Sequence, residues 1–164
     1  MPSRDIHAVL YDYVAAQATV SHSPEMRDAV LILLVFAKAY DTLERKFLYA
    51  VLSRHGYPPH VVQVIRTLHT GTSGRFLANG SRSRNVPITH GPLAPMLFIL
   101  ELMPLYQQIE RAPDLQGIRI TANAMTSTLK VGGYADDTAL YLSDPCPITR
   151  ATQILDAFGA ASGL

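Results

Sequence analysis

The sequence predicts a packed domain of the α/β or α+β kind, because stretches with helical spacing alternate along it with short strand-like runs. Ile6, Val9, Leu10, Tyr13 and Val14 recur as on one helix face, whereas Ala29–Phe36 is an unbroken apolar run of strand length. Composition agrees: 48% of the 164 residues are hydrophobic and only 16% charged, which excludes a disordered chain and allows one domain with its own core.

Charge and cysteine usage narrow the function classes. A net charge of +1 and a pI near 7.9 give no global attraction to nucleic acid, so any basic surface must be local. Cys146 is the sole cysteine; it excludes an internal disulfide and a cysteine-clustered zinc site and fits a reducing, intracellular setting, nuclear or cytoplasmic. No apolar run approaches the roughly 20 residues of a membrane span, and Met1–Asp5 lacks an apolar segment of signal-peptide type.

Taken in order, the first helix is amphipathic, ends before the polar Thr19–Ser23 stretch, and packs through its stripe. Ala29–Phe36 follows as a continuously buried central strand. Asp41 suits an N-cap and Glu44 its capping-box partner, with Leu43, Phe47, Ala50 and Val51 as the buried stripe of the next helix and Gly56 stopping it. Pro58-Pro59 opens another helix with Val62, Ile65 and Leu68 inward, closing at Gly71.

Asn79-Gly80 suits a type I′ turn of a hairpin that carries Arg75, Arg82 and Arg84 around Phe76. These arginines either contact phosphates or simply protect an edge strand. The stiff Gly91–Pro95 loop leads into a helix from Met96 toward Arg111, kinked at Pro104. Gly117–Ile120 reads as a short strand, Thr121–Ser127 as a polar connection, and Pro147 as the start of a last helix with Ile154, Leu155 and Phe158 on one face.

The stretch with chemistry is Val131–Leu142. Gly132, Gly133 and Tyr134 precede Asp136-Asp137, and Thr138–Leu142 follows, which reads as a strand, a tight turn and a second strand. Neighbouring side chains in a strand leave from opposite faces, so the two acids can act on one object only at a turn. Side by side they repel unless a cation or a proton comes between them, and a divalent metal is the natural partner. The bland alternative is a solvated Asp-Asp turn.

Tyr134-Ala135-Asp136-Asp137-Thr138-Ala139 between apolar strands, preceded in order by Phe36–Thr42 and Gly91–Pro95, resembles the motif series of reverse transcriptases of non-LTR (LINE-type) retrotransposons. The resemblance covers nearly the whole chain. It implies an α+β polymerase palm, a ferredoxin-like antiparallel sheet backed by helices, with fingers-side elements at about 1–28 and 57–90, palm at about 29–56 and 91–164, and no thumb. The implied activity is RNA-directed DNA polymerisation with two Mg²⁺ (or Mn²⁺) ions, on an RNA template with a DNA primer and deoxynucleotides. Asp136 and Asp137 match two of three catalytic aspartates, Tyr40 the aromatic residue beneath the sugar, Lys38 a residue near the triphosphate, and the Phe36 backbone a metal contact.

Two departures accompany the match. Val35 stands where the third aspartate belongs, and valine cannot ligate a cation. His90 replaces a glutamine that contacts the nucleotide, and one residue after Gly91 is lost. Asp41, already suited to capping, is a poor substitute ligand. The resemblance therefore implies a truncated reverse transcriptase domain with a degenerate, impaired site. The alternatives are a non-catalytic remnant that binds nucleic acid or a protein partner, prone to self-association through apolar surface, and a two-metal nuclease using Asp136 and Asp137.

Overall fold

The computed structural model of the chain describes residues 6–37, 44–87, 93–122 and 125–164. It is a mixed α+β structure of small antiparallel sheets and five α-helices among these residues. The sheet that organises it has three strands, β1 (Val30–Leu34), β8 (Val131–Tyr134) and β9 (Asp137–Leu142), in the order β1-β9-β8. The hairpin strand β9 is thus central, paired on one side with β8 and on the other with β1, where Val30 meets Leu142 and Leu34 meets Thr138.

Side-chain alternation sorts the sheet into two faces. Leu140, Leu142 and Val131, with Val30, Ile32 and Leu34 beside them, pack on Phe98, Leu102, Leu105 and Ile109 of α4 (Ala94–Arg111) and on Ile154 and Phe158 of α5 (Ile148–Ser162). Ala139 and Tyr141 face the other way, against Ala16 of α1 (Ile6–His22) and Ile118. Burying a Leu, Phe or Ile side chain stabilises by about 1.5–3 kcal/mol, so the α4–α5 face is the main source of cohesion. Two further helices, α2 (Arg45–Arg54) and α3 (Pro59–Leu68), form a satellite core with α4 around Leu52, Val62 and Leu97.

Several expectations hold. Gly56 takes φ 81° just past α2, the left-handed stop that a glycine supplies at least cost. Pro59 sits in the first turn of α3, and Val62 is buried. Asn79 and Gly80 have φ of 49° and 77°, the type I′ pair, between β3 (Leu77–Ala78) and β4 (Ser81–Arg82). Helix α4 passes through Pro104 to Arg111 and lies beneath the Asp136 hairpin, and Ile154 and Phe158 of α5 are buried.

Other expectations fail, among them Ala50 of α2 and Leu68 of α3, which are exposed rather than inward. Helix α1 runs on to His22, because Thr19, Ser21 and His22 bond back to carbonyls four residues earlier rather than ending the helix. Its apolar stripe is not its packed face: Leu10 and Val14 are more than half exposed, and Ala16 is the buried residue. Strand β1 is neither central nor continuously buried. Leu33 is 70% exposed, since no described strand pairs with the outer edge of β1 and its second face is covered only beside Tyr141.

Finally, much of the Thr121–Ser127 connection is strand. β6 (Ile118–Ala122) pairs with β7 (Met125–Leu129), where threonines supply β-branching and Thr121 and Thr126 bond across the ladder. The Asp41 cap and Leu43 lie outside the described residues; α2 begins at Arg45, with Glu44 at its N-cap position and no side-chain capping bond. Among the described residues no helix is long and apolar enough to cross a membrane, and Cys146 is exposed.

Candidate functional site

Strands β8 and β9 are joined by a two-residue turn, Ala135-Asp136, closed by the pair Tyr134–Asp137. Ala135 adopts φ 55°, an uncommon conformation for a residue with a Cβ, which the closed ladder on both sides enforces. Asp136 therefore lies in the turn and Asp137 opens β9, so the break in alternation that lets both acids work at one tip is present. Asp136 is half-buried and Asp137 exposed.

Val35 comes to the same tip. The β1–β9 ladder ends at Leu34–Thr138, so Val35 and Asp137 are the next residues beyond the last rung on their two strands. Leu31 with Tyr141 and Leu33 with Ala139 are the preceding pairs on the sheet face away from α4 and α5, and Val35, just past the strand, is 88% exposed. Phe36 turns its ring to the other side, meeting Phe98 edge to face at 5.5 Å. An apolar residue at 88% exposure contributes nothing to the core.

The hairpin is held from below. Tyr106 Oη and Thr138 Oγ1 lie 2.7 Å apart, and Thr138 is 3% exposed, so this bond satisfies a buried hydroxyl directly under the tip. Gly133 is fitted to that bond: a Cβ there would stand 2.7 Å from the Asp137 carbonyl oxygen and clash with the Tyr106 hydroxyl. At Gly132 a Cβ would meet only the Tyr141 ring, at 3.6 Å. Tyr106 was not anticipated from the sequence; a tyrosine at helical spacing from Leu102 and Ile109 looks like core until its hydroxyl partner is known.

A second unanticipated group is Glu101 on α4. It is fully buried, and among the described residues neither carboxylate oxygen has a hydrogen-bond partner. Burial, and after it the charge of Glu44, push its pKa from 4.5 up to about 8.

The arginine hairpin stands apart from the tip in the chain. Pairing of Leu77 with Arg82 puts these two side chains on one face, with Arg75 and Phe76 preceding the strand. Arg75 Nε donates to Asn85 Oδ1 at 2.7 Å. The register shifts by one residue between the Leu77–Arg82 rung and the rung between β2 (Ser73–Gly74) and β5 (Val86–Pro87), a bulge near Arg84. All three arginines are exposed.

Lys38, Tyr40, Asp41, His90 and Gly91 lie outside the described residues. Among the described residues no group of three or more His, Cys, Asp or Glu side chains is arranged to hold a metal ion. No known protein-family profile matches the chain.

Proposed function

We propose that this chain is the palm-centred part of a reverse transcriptase of the non-LTR retrotransposon kind, its nucleotidyl transfer impaired by Val35. The observation that carries the reading is that Val35 and Asp137 are the residues next beyond the last rung of the β1–β9 ladder, at the end of the sheet beside the turn that holds Asp136. Two acids on one strand end and a third position on the neighbouring strand form the natural cradle for divalent cations, and a hydrocarbon fills the third place. The order of Phe36–Thr42, Gly91–Pro95 and Tyr134–Ala139 along the chain supports the same ancestry.

The residues at the tip do not fit a two-ion set. Two hydrated Mg²⁺ ions bring a charge of about +4, against two carboxylates and a methyl-bearing side chain. Asp136 and Asp137 can attract one hydrated cation, and no catalytic step through a metal pair follows from them.

Primer extension on an RNA template, with Mg²⁺ or Mn²⁺, tests the reading for the unaltered chain and for Val35→Asp. Extension is expected only in the variant, with a gain on the order of 10²-fold or more, since a metal pair supplies several kcal/mol at the transition state. Equal extension by the unaltered chain would overturn the impairment.

The exposure of Arg75, Arg82 and Arg84 together around one short hairpin favours a second role, as a nucleic-acid binding module without catalysis. Binding to single-stranded RNA should then weaken with salt, and Arg75→Ala with Arg82→Ala should lower the slope of log K against log salt by roughly 1.4. An unchanged slope would show that the hairpin only protects its own edges.

A further inference from the structure

The sheet face away from α4 and α5 meets α1 and β6, and these leave a space between them. A cavity of about 220 Å³ lies there, bounded by α1, the start of β1, β6 and β9. It sits toward the Val30–Leu142 end of the β1–β9 ladder, the end away from the Asp136 turn. Ala16, Ile118 and Tyr141 form its floor, at 3%, 4% and 2% exposure, and Val20 and Val30 are among its apolar walls.

The polar groups of this cavity are few and of one kind. Tyr141 lines it, and among the described residues the Tyr141 hydroxyl has no hydrogen-bond partner. Burial pushes the pKa of that phenol up, and after burial the charge of Asp12 and then Tyr13 do the same, so both stand near it. Helical spacing agrees. Asp12, Ala16 and Val20 follow one another at four-residue steps on α1, as do Tyr13 and Gln17, so Asp12 lies one turn before the floor residue on the same face. None of the residues lining the cavity is basic.

We propose that this cavity binds a small aromatic amine, with its ring over Ala16, Ile118 and Val30 and its ammonium group toward Asp12, Tyr13 and Tyr141. Three features select that class. An apolar cavity of roughly 150 Å³ takes a benzene ring, so this one takes a ring with a short arm. A carboxylate at one end, with no basic side chain in the lining, favours a cation over an anion. Two tyrosines suit an ammonium through their π-faces, and the Tyr141 oxygen can accept a hydrogen bond from it, the partner it lacks. The site is separate from the Asp136 tip and stands or falls independently of the polymerase reading.

Ligand-observed NMR titration of the whole chain with phenethylamine tests this, with phenylethanol and hydrocinnamate as neutral and anionic counterparts of similar size. The amine is expected to bind more tightly than the alcohol by about fivefold or more, and the acid more weakly than either. Asp12→Asn, at an exposed side chain, should remove the amine's advantage and leave the affinity for the alcohol unchanged. Ala16→Leu, which fills the floor, should abolish binding of both, with circular dichroism showing that each variant is folded. An unaltered chain that does not bind the amine, equal affinities for amine and alcohol, an advantage that survives Asp12→Asn, or binding that survives Ala16→Leu would overturn the proposal.

Discussion

Raising the pH from about 4.5 to 8 is expected to cost this protein roughly 3–5 kcal/mol of stability through Glu101 alone. The folded carboxyl keeps its proton up to about pH 8, held neutral by its apolar surroundings and by the charge of Glu44, while the unfolded one releases it near 4.5. Between those values the folded state binds more protons than the unfolded state, so the stability is fully present below the window and is lost as pH rises through it. Urea unfolding at several pH values should show this slope in the unaltered chain and not in Glu101→Met, which keeps the volume and removes the titration. The variant should also be the more stable protein at pH 8. Parallel pH profiles would mean that Glu101 has a partner in solution.

Gly133→Ala should be the most damaging single-methyl change in the hairpin, at about 1–3 kcal/mol, because the added carbon meets the Asp137 backbone and the Tyr106 hydroxyl together. Neither can move freely: one is the second strand of the hairpin, the other the bond to buried Thr138. Gly132→Ala, one residue away, is expected to be close to neutral, since its methyl reaches only ordinary contact with Tyr141. Tyr106→Phe should cost about 1–2 kcal/mol by leaving the Thr138 hydroxyl unpaired. Thermal unfolding of the three variants checks the order; equal effects at the two glycines would contradict the clamp.

What the amino-acid order revealed is what local chemistry decides. Asn79-Gly80 can do little but turn, Pro59 and Gly56 mark a helix start and stop, and two glycines before two acids set a hairpin. Hidden were the matters settled by distant neighbours. An unbroken apolar run looks buried on both sides, yet whether anything lies beside β1 depends on strands elsewhere, and among the described residues none does. The stripe of α1 looked like a packing face, but the small Ala16 fits against the sheet and the larger side chains stay outside. Met125–Leu129 escaped notice because threonine and serine read as loop until a partner strand shows their β-branching in use. Tyr106 and Glu101 take their importance from partners, or the want of them, more than thirty positions away or across a helix interface.

The candidate site divides along the same line. Asp136, Asp137 and Val35 could be singled out by type and order, but their gathering at one end of the sheet depends on the register between β1 and β9. Titration with Mn²⁺, followed by electron paramagnetic resonance, measures that meeting directly in the unaltered chain, in Val35→Asp and in Val35→Asn. An added carboxylate beside Asp137 should tighten binding by about tenfold or more, with the amide gaining much less. Equal affinities in all three proteins would contradict the claim that Val35 occupies the place of a metal ligand.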